Sequence, residues 1–232
     1  MKDDIKELDI WNYMGVVNFL NQFTIGHNGF VAGGCFKNLF NKEKVKDIDM
    51  FFRNRQDFLD ALSMFEKDDS YVKFYENKKV NAFRNKHNGV VVELIKYKYG
   101  EPIDIIDEFD FTITKCAYVN NYKTKEQIVE MSNNGEIDPE DDLEDVLEPS
   151  KFLIHKDYFE HLHMKRLVVD DRMVLPINTF ERMFRYGKYG FFPCRETKVK
   201  VIQAIRNLEE FDAELLSIGL YDGMDWLWSY IL

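Results

Sequence analysis

The alternation Asp47-Ile48-Asp49-Met50 constrains this chain most, because it follows a glycine pair, Gly33-Gly34, and a short stretch of helix-forming residues. In a β-strand, side chains two apart point to the same face, so Asp47 and Asp49 project together while Ile48 faces the core. Two carboxylates on one face suit a divalent cation; Mg²⁺ accepts such a partial set of hard oxygen ligands and leaves the rest of its shell to phosphates. Gly33 and Gly34 carry no side chain to block close approach of the backbone, and the helix after them is expected to aim its unsatisfied N–H groups at an anion. The order glycines, helix, basic residue, strand carboxylates describes a site for a nucleoside triphosphate.

Apolar spacing organises the rest of the chain. Ile5, Leu8, Ile10, Trp11, Met14, Val17 and Leu20 recur at helical intervals and predict an amphipathic helix over 5–23. A turn through Gly26, Asn28 and Gly29 leads to a short strand, Phe30-Val31-Ala32, that feeds the glycine pair. Then come a helix at 35–41, a strand at 46–52 and a helix at 55–67. Further strands are expected near 71–76, 80–84 and 90–97, and in FDFTITKCAY at 109–118. This interleaving predicts an α+β fold, a mixed β-sheet with helices on one side. After Pro149 helical patterns take over, at 156–168, 177–190, 196–209 and 212–231. The expected division is a head at 1–150 and a small helical domain at 151–232.

Charge and composition narrow the function classes. With 45% apolar residues and only 5 prolines among 232 residues, the chain is globular and long enough to bury a substantial core. Its formal charge of −10 argues against an extended nucleic-acid surface, which needs a basic face to displace counterions. Much of that charge is local, in EIDPEDDLEDVLE at 136–148, expected to be a solvated loop. No apolar run approaches the length of a bilayer span, and the acidic start MKDDIKELD differs from a secretory signal, so a cytoplasmic location without membrane contact is expected. Cys35, Cys116 and Cys194 lack metal-ligand spacing and read as free thiols. His161 and His163 are two apart in an expected helix, where such side chains diverge, so neither pairs for a metal.

The stretch from Gly33 to Met50 resembles the nucleotidyltransferase head of the DNA polymerase beta superfamily, most closely the branch of CCA-adding enzymes and bacterial poly(A) polymerases. That branch reads GGxxRD, a short loop, then KDIDL. Here Lys37 stands in place of the arginine and Asn38 in place of the aspartate, and Lys46-Asp47-Ile48-Asp49 follows closely. GVVVELIKY at 89–97 is similar to the family strand that ends VEVTTFR, which makes Glu93 the candidate third carboxylate, with Asp110 the alternative. FDFTITKCAY is similar to the family's RRDFTINAMAY; Asp110 matches its acid, while Glu108 and Phe109 replace both arginines. Lys37, Lys46 or Lys115 is then expected to meet the triphosphate as a point charge. FERMFRYGKYGF at 180–191 resembles the helix that joins head to neck, which makes Arg182 and Arg185 candidate phosphate or base contacts.

The resemblance implies metal-dependent transfer of a nucleoside monophosphate from an NTP to an acceptor hydroxyl, with pyrophosphate leaving. Asp47 and Asp49 would be the metal ligands for two Mg²⁺ ions, Glu93 would complete the cluster, and Gly33, Gly34, Lys37, Lys46, Asp110, Arg182 and Arg185 would bind nucleotide. The implied partners are an NTP and an RNA 3′ end, with a protein or small-molecule acceptor as alternatives. A nucleotide-binding or interaction module without turnover is the competing class, motivated by the missing arginines.

Overall fold

The computed structural model describes residues 2–121, 125–135, 150–170, 173 and 175–208. The acidic run at 136–148 and the helix expected at 212–231 lie outside the described residues. An eight-stranded mixed sheet organises the rest, built from β1 (Ile5–Leu8), β2 (Phe30–Ala32), β3 (Asp47–Phe52), β4 (Tyr71–Glu76), β5 (Val80–Asn85), β6 (Val91–Tyr99), β7 (Cys116–Val119) and β8 (Lys151–His155). Its spatial order is β1-β8-β7-β2-β3-β6-β5-β4. Within it β3 and β6 pair in parallel, and every other neighbouring pair is antiparallel. A separate parallel pair joins β9 (Arg166–Leu167) to β10 (Phe192–Pro193).

The helices are α1 (Met14–Thr24), α2 (Cys35–Phe40), α3 (Arg55–Lys67), α4 (Pro102–Asp107), α5 (Lys125–Asn133), α6 (Tyr158–His163), α7 (Pro176–Lys188) and α8 (Arg195–Arg206). Local chemistry sets α3 most clearly. The Asn54 side chain accepts from the Asp57 N–H at 3.0 Å and caps the helix, and Phe58, Ala61 and Phe65 then recur along one buried face. That face and α1 meet Ile48, Met50, Phe52, Val92 and Leu94 in one apolar cluster. The alternate strand residues, Phe51, Ala82, Val91 and Ile95, belong to the opposite face, where Ile105 and Ile106 of α4 also pack. The period-two pattern thus sends Ile48, Met50 and Phe52 of β3 into the helical layer and leaves Asp47, Asp49 and Phe51 on the far face.

Several expectations need correction. The helix expected over 5–23 starts only at Met14: Ile5–Leu8 pairs antiparallel with β8, Ile5 opposite His155 and Leu8 opposite Phe152, and a 3₁₀ turn at Trp11–Tyr13 separates the two. Pairing with a strand some 150 positions away overrides a local helical period. FDFTITKCAY forms a 3₁₀ turn at Thr112–Thr114 and becomes a strand only at Cys116. The helix expected at 156–168 is the short α6 followed by β9, and Lys151–His155 is a strand of the main sheet. Among the described residues no helix is long and apolar enough to cross a membrane.

His27 locks the turn that leads into β2. Its buried ring donates from Nε2 to the Phe23 carbonyl at 2.9 Å, and its Nδ1 accepts from the Gly29 N–H at 2.9 Å, which only the neutral imidazole can do. Burial depresses its pKa to about 4. The unfolded chain takes up this proton near pH 6.5 and the folded chain only near 4, so the stabilisation is full above 6.5 and is lost as pH falls towards 4. Urea denaturation should show a loss of about 3 kcal/mol over that window, and His27→Gln should flatten this component of the pH dependence.

Candidate functional site

The site is built on the in-register parallel pair β3–β6, where Asp47 lies opposite Val91 and Asp49 opposite Glu93. Asp47 is exposed at the strand start; Asp49 and Glu93 are partly buried. Desolvation first, then the charges of Glu93 and Asp47, raise the Asp49 carboxyl well above the usual carboxylate range, while Arg182 and Arg185 oppose the shift. Desolvation and Asp47 likewise raise Glu93, against a hydrogen bond from Tyr75.

The glycine pair passes between this cluster and α7. Gly33 has φ +104, and a Cβ there would sit 3.4 Å from Asp49 Oδ2; a Cβ on Gly34 would sit 3.3 Å from Tyr186 Oη. The Gly33 N–H donates to the Cys116 carbonyl at 2.9 Å, so this residue supplies backbone conformation and close approach while its donor belongs to the sheet. Cys35, next in line, is buried, and burial together with Asp49 and Asp47 pushes its thiol well up, so it stays protonated and acts as a small filler.

A cleft of about 290 Å³ opens between β3, α2 and α7, lined by Gly34, Lys37, Lys46, Asp47, Asp49, Arg182, Arg185, Tyr186 and Tyr189 among others. Lys37 is buried; desolvation lowers its pKa, its ammonium donates to Asn38 Oδ1, and it lies 4.7 Å from the centre of the Tyr189 ring. Asn38 donates in turn to the Lys44 carbonyl at 3.2 Å and fixes the loop that feeds β3. Lys46 and Arg185 are exposed at the cleft. A larger groove of about 900 Å³, lined by Tyr13, Phe19, Phe40 and Phe159 among others, adjoins the cleft at Glu43, Lys44 and Val45.

Asp110 is held by an arginine of α7. Its buried Oδ1 accepts from Arg182 Nη1 at 2.8 Å and from the Phe111 N–H at 2.8 Å, so it ties α7 to the loop that precedes the 3₁₀ turn at Thr112–Thr114. Lys115 does not face the cleft: it is fully buried, with Nζ donating to the Asp107 carbonyl at 2.6 Å and to Asp170 at 2.9 Å. A fully buried, paired lysine is structural, which removes it as a triphosphate contact. At the positions of the two family arginines, Glu108 pairs with Lys98 and Phe109 packs on Phe51. Tyr75, which no sequence pattern marks, donates from Oη to Glu93 Oε1 at 2.6 Å.

Among the described residues no three His, Cys, Asp or Glu side chains converge tightly enough to enclose a metal ion by themselves. The donor set nonetheless fits Mg²⁺ with a triphosphate: hard carboxylate oxygens, an open side towards the cleft, and mutual repulsion at Asp49 that a divalent cation would relieve.

The sheet, its helical layer and this carboxylate edge define a nucleotidyltransferase-like fold. Solved structures share it: a CCA-adding enzyme in an apo form (TM-score 0.52, 15% identity, covering 88% of this chain and 46% of the other), one in complex with CTP (0.53, 13%, 88% and 47%), and the Thermotoga maritima enzyme complexed with tRNA (0.50, 15%, 87% and 46%). By sequence, the chain belongs to the Gabija anti-defense 2 family, whose model matches residues 13–165. A relative, "Gabija anti-defense 2" of Bacillus phage SPbetaL7, is 22% identical over 183 residues, and the match covers 78% of this chain but 38% of that protein.

The two arginines of α7 are expected to separate in a stability assay. Arg182→Ala removes the 2.8 Å partner of buried Asp110 and should cost about 2 kcal/mol in urea denaturation, below the full penalty for a buried pair because Arg182 is partly exposed. Arg185→Ala, on the exposed side, should cost less than about 0.5 kcal/mol.

Proposed function

We propose that this chain is a metal-dependent nucleotidyltransferase that moves a nucleoside monophosphate from an NTP to an acceptor hydroxyl and releases pyrophosphate. One observation carries the reading: Asp49 stands beside Glu93 on parallel strands with Asp47 two residues along, and Asp47 and Asp49 line a cleft that also bears Arg182 and Arg185. Asp47 and Asp49 would hold two Mg²⁺ ions, which when bound neutralise the leaving pyrophosphate and acidify the acceptor hydroxyl. Glu93 would complete the cluster and receive the acceptor's proton. Lys37, Lys46 and Arg185 would hold the triphosphate as positive charges placed in advance, at sites that cost little reorganisation.

The first candidate acceptor is an RNA 3′ hydroxyl, supported by the motif likeness and by basic side chains gathered at the cleft of an otherwise acidic chain. The phage relative is named as an anti-defence protein, so the modified molecule would be a component on which the opposed defence depends. A second reading, a module that binds nucleotide without turnover, draws on Glu108 and Phe109 standing where the family's arginines would be.

The parent, given each NTP with Mg²⁺ and RNA, should release pyrophosphate and label the acceptor. Asp47→Asn and Asp49→Asn should lower that rate by about 10²- to 10³-fold or more. Asp49→Asn should also leave the melting temperature unchanged or raise it, because it removes a repelled carboxylate. Variants as fast as the parent would refute the assignment, and calorimetric NTP binding without pyrophosphate release would favour the second reading.

A further inference from the structure

We infer that Tyr75 is a positioning residue for Glu93, delivered to it by a bulge in the edge strand β4. The inference rests on the role given to Glu93 in the proposed reaction.

The argument begins with register. Along β4–β5, Lys73 pairs with Phe83, and an unbroken ladder would set Tyr75 opposite Asn81. The register shifts between Lys73 and Tyr75, and Tyr75 instead faces Ala82. One extra residue on one strand turns the following side chains to the other face, and bulges that re-aim a side chain recur beside active sites. The shift puts Tyr75 on the face that carries the carboxylates, where both Phe74 and Tyr75 pack against the cluster containing Ala82, Val91 and Ile95.

Ala82 in turn pairs with Glu93, and Glu93 with Asp49. Tyr75, Ala82, Glu93 and Asp49 therefore form one row across four strands. Strands lie about 4.8 Å apart, so Tyr75 must reach past Ala82 to touch Glu93, and the alanine methyl is small enough to let it. The result is the 2.6 Å hydrogen bond from Tyr75 Oη to Glu93 Oε1. The phenol approaches from the side away from Asp49. It engages one carboxylate oxygen and leaves Oε2 as the oxygen for the reaction. A carboxylate held by such a neighbour does not have to be ordered when the nucleotide arrives.

The test uses the whole chain with Tyr75→Phe, which deletes only the hydroxyl and keeps the ring. The kcat for pyrophosphate release should fall about 10- to 100-fold, with KM for the NTP unchanged and the melting temperature unchanged. Calorimetric affinity for Mn²⁺, measured without nucleotide, should weaken as well. Ala82→Val should reproduce these losses, and the double variant should be no worse than either single one. Parental kcat and Mn²⁺ affinity in Tyr75→Phe would overturn the inference, as would losses in Tyr75→Phe matched by a drop in its melting temperature, or losses strictly additive in the double variant. If the parent releases no pyrophosphate from any NTP, the transferase reading fails and the Mn²⁺ arm alone decides Tyr75: weakened binding supports it and unchanged binding overturns it.

Discussion

The parallel pairing of β3 with β6 sets Asp49 directly beside Glu93, and the site follows from that juxtaposition. Like charges opposite each other in a sheet are unfavourable by up to about 1 kcal/mol. On the other face of the same two strands, Ile48, Met50, Val92 and Leu94 are fully buried, each worth about 1.5–3 kcal/mol relative to exposure. Apolar burial decides the register, and the acidic residues are carried with it. Desolvation first, and then the repulsion from Glu93 and Asp47, leave the Asp49 carboxyl raised, a state that a divalent cation would reverse.

The same economy governs α7. Its Arg182 serves buried Asp110 and thereby docks the helix, while Arg185 and Tyr189 line the cleft. Tyr186 is buried, its hydroxyl lying where a side chain on Gly34 would come. The two glycines therefore serve differently: Gly33 is required by its φ of +104, and Gly34 spares Tyr186 Oη of α7, 3.3 Å from where a Cβ would lie, from having to shift. Both demands are steric, and neither depends on a ligand.

Fold likeness and family membership cover different ground. The likeness to CCA-adding enzymes is one of architecture, at 13–15% identity. The family match spans residues 13–165 and so includes Gly33, Asp47, Asp49, Tyr75 and Glu93, but not α7 with its arginines. The carboxylate row lies wholly within the matched stretch, with Lys37 and Lys46 of the cleft; Arg182 and Arg185 lie beyond it.

By itself the sequence determined which residues share a face. Asp47 and Asp49 with Ile48 between them, the Asn54-capped α3 and the helical period of α7 all follow from spacings of two or 3.6 within a few residues, and local geometry enforces those spacings wherever the segment sits. Tertiary structure alone decided which segments lie beside one another. It made Ile5–Leu8 a strand, gave Lys115 to Asp107 and Asp170 instead of a phosphate, gave Asp110 to Arg182, and brought Tyr75 to Glu93 through a bulge. Those outcomes depend on backbone pairing and burial between positions far apart in the chain, and local periodicity carries no record of either.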